Sequence, residues 1–555
     1  MDIRLFENIA LCFSGGGFRA AAFCLGVLSF LDEFKLNGNS LLKHVKGLST
    51  VSGGTITGAA YVDFLLKGDV DDGAKRFQDF YCKMYDFLAG DSLLNSALQK
   101  MEDDALWQKT YKKRTLINCF SLAYRDFYEA NFGQLTSNKV NVHLEDVCFN
   151  ATEFSYGLAF RFQKDGCFGN YRINLPQNAA AEIQIADAVA SSSCFPLGFA
   201  PLIMPDDYLD HTLPVYKGLK KQKDFEYGIG IMDGGIVDNQ GIGSTILANQ
   251  RRIDAQKQGY DLILVCDVAS YMMEPWKQSN DVVDQGITLR QLASNIWRRL
   301  VNNWGALLIL LVGLVLSYFG IQNSFPNWTK LILWFSGTFV ITGGTLLVLR
   351  YILRIIKPIS VWLLKNNLNK YIPKFFLKKA RFFDDLRMTL LKRMTEERLS
   401  SGFKMVNEVF LKQIRRLNYQ MLYKDENLKH RRATVLIYQL TKAQFKKGES
   451  TEVKPSEKIS VVREPSPAIF EVAKTATEMN TTLWFTPTDV KKDVLKKLIA
   501  CGRFTVCYSL LEYLNDLSKH TDHNLNHREI NTIRHELTKH WDRFVDDPYA
   551  GLPTC

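Results

Sequence analysis

Ile9-Ala10-Leu11-Cys12-Phe13-Ser14-Gly15-Gly16-Gly17-Phe18-Arg19 and, downstream, Val45-Lys46-Gly47-Leu48-Ser49-Thr50-Val51-Ser52-Gly53-Gly54-Thr55 share one form. In each, a short apolar run meets a glycine turn, and a helical run follows. Ile9 to Phe13 and Val45 to Val51 read as buried strands, bounded by glycine punctuation. Phe18 to Leu31, interrupted only by Gly26, and Thr55 to Leu66 read as helices. Strand-turn-helix used twice in succession predicts an α/β fold, a mainly parallel central sheet covered by helices.

The pattern continues outward from these two units. Asp69 to Asn138 is mainly helical and amphipathic, while Lys139 to Leu175 contains strand-like stretches at Val140 to Leu144 and Leu158 to Phe162. Ile183 to Ala190 reads as a helix broken by Ser191-Ser192-Ser193-Cys194-Phe195-Pro196. Gly228 to Met232 is a strand ending at Asp233-Gly234-Gly235, and Asp261 to Val268 is a strongly apolar strand. Further on, Lys374 to Tyr423 is helical and basic, Thr434 to Leu440 a strand, Lys447 to Pro467 a charged loop, and Val490 to Leu517 a helix.

Two apolar stretches do not belong to this alternation. Trp304 to Ile321 is 18 residues without a charge, and Leu331 to Leu349 is 19 more. At about 1.5 Å per residue each approaches the ~30 Å hydrocarbon thickness. Gln322 to Lys330 joins them, with Pro326 at a turn and Trp328 near an interface. Arg298, Arg299, Arg350, Arg354 and Lys357 flank the pair, whereas the joining loop holds only Lys330. The expected arrangement is a transmembrane helical hairpin with both flanks cytosolic.

The chain has 555 residues, a length that suggests three or four domains as a soft prior. Its composition, 46% hydrophobic and 23% charged, is that of a globular protein. The net charge of +11 is concentrated: Arg350 to Arg416 holds 17 Lys and Arg against 5 Asp and Glu. The remainder is near neutral, which argues against nucleic-acid binding. None of the 11 cysteines forms a C-x-x-C pair, and Cys12, Cys24 and Cys266 lie in apolar runs. They are expected to be free thiols in a reducing compartment. Met1 to Ala10 carries Asp2 and Glu7 and does not read as a signal peptide.

Three turns carry chemistry. Ser52 sits where a sharp strand-to-helix turn would expose a hydroxyl, with Gly54 two residues on. Thr50 occupies the position where the elbow pattern G-x-S-x-G has glycine. A serine hydroxyl needs a base to become a nucleophile, and Asp233, in a glycine turn at a strand end, could supply one. Gly15, Gly16 and Gly17 offer backbone N–H groups before a helix, suited either to a phosphate or to an oxyanion. The Rossmann and Walker patterns are not met there. The histidines, including His535 and His540 in the C-terminal tract, do not have metal-ligand spacing.

Taken in order, Gly15-Gly16-Gly17-Phe18-Arg19, Ser52-Gly53-Gly54 and Asp233-Gly234-Gly235 resemble the patatin-like phospholipases. Asp187 to Pro196 and Asn239 look like further parts of that family's pattern. The resemblance covers about residues 8 to 270, with Thr50 and Ala20 as departures from it. It implies a three-layer α/β/α fold and a Ser52–Asp233 dyad without histidine, metal or cofactor. It also implies an oxyanion hole from Gly15, Gly16 and Gly17, with Arg19, Gly54, Gly234 and Gly235 in support. The implied substrate is a membrane phospholipid or lysophospholipid.

The expected organisation is a catalytic region over 1–275, the two-pass hairpin over 300–355 and a basic helical segment over 356–430. A C-terminal completion of the catalytic domain follows over 431–520, then a charged tract over 521–555. The catalytic domain and both termini are expected in the cytosol, with Lys374, Lys378, Lys379 and Arg381 drawn to an anionic leaflet. A regulated, membrane-damaging lipase and a non-catalytic membrane scaffold are the alternative functions. Oligomeric state is not legible.

Overall fold

The structure, a computed structural model, describes residues 5–67, 73–137, 142–196, 198–269, 276, 286–288, 290–292, 294–295, 304–322, 329, 331–348, 351, 387–445, 462–519 and 526–555. The five flanking arginines and lysines of the apolar pair, Pro326, Trp328 and Lys330 lie outside these residues. So do Lys374, Lys378, Lys379 and Arg381, most of the 356–430 segment before residue 387, and 447–461 of the charged loop. Two compact units are present, one made of 1–273 with 407–555 and the other of 274–406.

The first unit is built on a ten-stranded sheet. Its strands are β1 (Ile9–Phe13), β4 (Val45–Val51), β5 (Asp146–Glu153), β6 (Leu158–Gln163), β7 (Phe168–Gly169), β8 (Asn174–Leu175), β9 (Leu202–Met204), β10 (Ile229–Asp233), β11 (Leu262–Asp267) and β12 (Arg432–Leu436). A separate small hairpin pairs β2 (Lys35–Leu36) with β3 (Asn39–Ser40). The order β12-β11-β1-β4-β5 is parallel throughout. From β5 outward the pairing turns antiparallel, through β6, β7 and β8 on one edge and through β10 and β9 on the other.

Strand periodicity divides the core into two layers. Ile9, Leu11 and Phe13 of β1, with Leu262, Leu264 and Cys266 of β11, face the larger cluster. Ala10, Cys12, Ile263 and Val265 face a smaller one, closed by Ile242 and Ala248 of the helix Ile242–Asp254 and by Leu422 of the helix Leu411–Lys424. Strands buried on both faces are the mark of a sheet sandwiched between helices. The sheet therefore has helices on each side, and β1 and β11 are uninterrupted apolar runs for that reason.

On the larger face α1 (Gly17–Glu33) crosses the helix Val494–Ser518 at very close range. A Cβ at Gly26 would stand 2.0 Å from the Ile499 carbonyl oxygen, and one at Gly502 would stand 2.1 Å from that of Phe23. Each helix thus presents its glycine to the other's backbone. Arg503, buried, joins the pair by bonding Ser29 and Glu33.

Several element bounds differ from the sequence expectation. Of the strand expected at Val140 to Leu144, Val140 and Asn141 lie outside the described residues and Val142 to Leu144 are not strand; the next strand starts at Asp146. The helix expected to stop at Ala190 runs on through Ser192. Asp233 is the last residue of its strand, and the strand expected over Thr434 to Leu440 ends at Leu436. The cysteines also depart from the expectation of free thiols throughout. Cys82 and Cys555 form a disulfide across a sequence separation of 473 residues, a distance no local spacing could reveal. The other nine are free, and all but Cys167 are buried.

In the second unit the helix Trp304–Gln322 and the helix Leu331–Val348 are apolar along their lengths. Among the described residues, Leu331–Val348 is the one helix long and apolar enough to cross a membrane, and Leu308–Phe319 is a shorter apolar helical stretch. A Cβ at Gly313 would lie 2.8 Å from Val340, so the two helices touch there.

Candidate functional site

Two strands share one edge of β5, end to end. β4 runs parallel to β5 and ends with Val51 opposite Asn150. β10 runs antiparallel to it and ends with Asp233 opposite Ala151. The other edge of β5 belongs to β6. The C-terminal ends of β4 and β10 therefore point at each other, and Ser52 and the Asp233 side chain meet at the seam. Residues 181 positions apart in sequence are brought together by one register.

Ser52 turns the chain sharply, with φ 50° and ψ −121°, between β4 and α2 (Gly53–Leu66). A non-glycine residue there is strained by about 1–3 kcal/mol and persists only where neighbours impose it. Those neighbours are identifiable. The Ser52 N–H donates to Ser192 Oγ at 2.8 Å, and Ser192 Oγ donates to the Asn150 carbonyl at 2.6 Å. Thr55 Oγ1 lies 2.8 Å from the same Ser192 oxygen. Gly54 N–H donates to the Ser14 carbonyl at 3.2 Å. Gly53 must lack a side chain, since a Cβ there would sit 2.0 Å from the Gly17 carbonyl oxygen.

Thr50 fits the elbow because a second glycine compensates for it. Its methyl packs where a Cβ at Gly58 would otherwise lie, 2.5 Å away, and its hydroxyl donates to Thr55 at 3.0 Å. The bulk that the elbow pattern excludes is thus absorbed one turn into α2.

Asp233 is 5% exposed and Ser52 8%. Burial pushes the Asp233 carboxyl up from 3.8 to about 6, and hydrogen bonds from the Ser52 hydroxyl and the Gly235 N–H pull against that rise. The Gly235 bond measures 2.7 Å. The Asp233 backbone is fixed as well, its N–H donating to Cys194 and its carbonyl accepting from Thr152 Oγ1. The result is a carboxylate ionised at neutral pH yet basic enough to take a proton from a hydroxyl. Among the described residues no histidine bonds to either group.

The first glycine loop lies against the elbow. Gly16 and Gly17 take φ of 148° and 58°, and a Cβ at Gly53 would be 2.7 Å from the Gly17 nitrogen. The Gly15 N–H is occupied, donating to the Asn239 carbonyl at 2.9 Å. Among the described residues the N–H groups of Gly16 and Gly17 have no backbone acceptor, so they are the donors this loop can aim at an oxyanion. Arg19 is half-buried, donates to the Thr477 and Met479 carbonyls at 3.4 and 2.8 Å, and anchors the loop to the C-terminal part of the unit.

Two other buried acids near the site, Asp238 and Asp267, are committed elsewhere. Asp238 accepts N–H bonds from Gln240, Ile242 and Gly243 and so opens the helix Ile242–Asp254. Asp267 is bonded by Arg415, Tyr419 and Gln240.

Ser192 and Asn150 carry the elbow, and nothing in their local sequence announces that role. Ser192 is one of three consecutive serines, and Asn150 lies within a strand of mixed character. The helix that presents Ser192, Ile185–Ser192, is itself held by a buried ionic group. Asp187 accepts from Arg125 at 2.7 Å and Ser121 at 2.5 Å, and its carboxylate lies 3.1 Å from Lys112 Nζ. Burial pulls the Lys112 amine down and the adjacent Asp187 carboxylate opposes it.

Residues 11–246 match the family model described as Patatin-like phospholipase. No curated protein matches the chain at a significant level. The matched span runs from β1 into the helix after the Asp233 turn and takes in all three loops. That span, rather than the chain as a whole, is what resembles the patatin-like phospholipases, lipid acyl hydrolases as a class.

Proposed function

We propose that the protein hydrolyses fatty acyl esters of membrane phospholipid or lysophospholipid through a Ser52–Asp233 dyad, without metal or cofactor. Ser52 Oγ attacks the ester carbonyl while its proton passes to Asp233. The oxyanion that forms is met by the Gly16 and Gly17 N–H groups, a kind of stabilisation worth about 3–4 kcal/mol per donor. Collapse expels the lipid alcohol, which takes the proton from Asp233, and leaves an acyl-serine. Water then attacks the acyl carbonyl, giving its proton to Asp233, and the fatty acid leaves as Ser52 is reprotonated. The observation that carries the reading is the meeting of two strand ends on one edge of β5, which sets Ser52 beside the buried Asp233 carboxyl, itself raised to about 6.

The second unit supports placement of this chemistry at a bilayer. Leu331–Val348 would span roughly 27 Å at 1.5 Å per residue, and Trp334 and Ile341 on it are each 69% exposed. Apolar helices of that exposure need either lipid or a partner. In the proposed arrangement Trp304–Gln322 is the other pass, and the positive flanks keep the catalytic domain and both termini in the cytosol.

The test is fluorophosphonate labelling of the full-length protein in phosphatidylcholine vesicles, followed by analysis of released fatty acid. The wild type is expected to label and to release fatty acid, and Ser52→Ala to do neither. Release by Ser52→Ala at the wild-type rate would overturn the assignment. An unlabelled wild type with no release would favour the non-catalytic scaffold.

A further inference from the structure

The first α-helix wholly within the catalytic unit after the 274–406 insertion is Leu411–Lys424, and one of its faces is buried against Val237, Asp238 and Asp267. Arg415, Asn418 and Tyr419 occupy that face at i, i+3 and i+4, the spacing that aligns side chains on a helix. Arg415 Nε donates to Asp267 Oδ2 at 2.6 Å, and the Tyr419 hydroxyl donates to the same oxygen at 2.9 Å. Asn418 Nδ2 donates to Asp238 Oδ1 at 3.0 Å and to the Val237 carbonyl at 3.4 Å. Gln240 Nε2 reaches Asp267 at 3.2 Å and ties the two acceptors together.

Both acceptors sit beside atoms that fix the oxyanion loop. Next to Asp267, the Cys266 carbonyl accepts the Ser14 N–H and the Val268 N–H donates to Ser14 Oγ, each at 3.0 Å. Val268 also packs where a Cβ at Gly16 would lie, 2.5 Å away. Next to Asp238, the Asn239 carbonyl accepts the Gly15 N–H. The Asn239 amide oxygen lies 2.4 Å from where a Cβ at Gly15 would stand and 2.7 Å from one at Gly235. Ser14, Gly15 and Gly16 are therefore held from both sides by backbone that this one helix grips.

We propose that Arg415, Asn418 and Tyr419 are positioning residues for the acyl transfer, setting the Gly16 and Gly17 amides through the 237–240 loop and the end of β11. The inference rests on the hydrolase reading and adds to it a route by which the helix that follows the insertion governs the oxyanion site. Misplacing an oxyanion donor by about 1 Å can cost up to 100-fold in rate, so small shifts of this helix suffice.

The experiment compares full-length wild type with Tyr419→Phe and Asn418→Ala, changes that each remove a donor and leave the buried Arg415–Asp267 ion pair intact. Turnover of a soluble p-nitrophenyl ester is normalised to folded protein by thermal melting, and hydrogen exchange is followed in a peptide covering Cys12 to Phe18. Each variant is expected to lower kcat about tenfold with KM within about twofold, and to speed exchange in that peptide. The pH midpoint is expected to stay near 6, because Asp233 is untouched. Folded variants with wild-type kcat and unchanged exchange would overturn the proposal, as would a loss explained wholly by unfolded protein. If the wild type turned over no ester, that result would fall on the hydrolase reading. The exchange measurement would still judge the clamp, unchanged exchange overturning it.

Discussion

At Asp233 two forces oppose each other, and their balance sets both activity and stability. Removal from water disfavours the carboxylate, while the Ser52 hydroxyl and the Gly235 N–H favour it. Burial wins, and the folded pKa of about 6 stands above the ordinary 3.8. A base must be unprotonated, so kcat/KM is expected to fall about tenfold per unit below pH 6 and to level off above it, as a pH–rate profile would show. The stability consequence has the opposite sign. Between pH 4 and 6 the folded chain holds a proton that the unfolded chain has lost, so this group's contribution to stability falls as pH rises through that window. A shift of about two units corresponds to roughly 3 kcal/mol at most. Asp233→Asn should therefore be inactive and yet gain about 1–3 kcal/mol over wild type between pH 4 and pH 7. Paired melting curves at the two pH values check this, and a gap that narrows with rising pH would count against a buried, reluctantly charged Asp233.

Elements carry the next level of the argument, and α1 with its partner helix Val494–Ser518 shows what sequence can and cannot convey. The helix, the strand before it and the glycine turn between them were legible because each is a local pattern of apolar residues and glycines. Gly26 appeared only as an interruption in a helical run. Its reason is the Ile499 backbone, 473 residues away, into which a Cβ would intrude at 2.0 Å. β10 is similar: its apolar character was readable, but its antiparallel pairing with β5, which turns Asp233 toward Ser52, is a long-range register. The departure at Thr50 became intelligible only with Gly58 beneath its methyl. Where two backbones touch, neither helix can yield without moving the other. Gly26→Ala and Gly502→Ala are each expected to destabilise by about 3 kcal/mol or more, at the upper end for overpacked cores. Alanine would raise helix propensity at both sites by up to about 1 kcal/mol, so a melting temperature at or above wild type would mean that the crossing is looser than described.

For the whole molecule, the question is what surrounds Leu331–Val348. Only 11% of the helix is buried, and Leu331, Trp334, Phe335, Ile341 and Val348 are all largely exposed. In water those side chains would form an apolar surface well beyond what a monomer tolerates. In a bilayer they would be solvated by acyl chains, and the helix would satisfy its own backbone. A partner protein could also cover them, and a charge test separates the two. An arginine at the middle of a spanning helix costs about 2.5–3.5 kcal/mol on insertion scales, so Phe339→Arg with Ile341→Arg imposes roughly 5–7 kcal/mol. Ile341 is outward-facing at 69% exposed, while Phe339, 39% exposed, borders the Gly313 crossing, so Ile341→Arg alone is the control that burdens the surroundings without touching the companion helix. The full-length wild type is expected to stay with membranes through alkaline carbonate extraction, and the double variant to be released or degraded. Should the double variant resist extraction like wild type, lipid would not be what covers this helix, and the bilayer would have to be reached by another route.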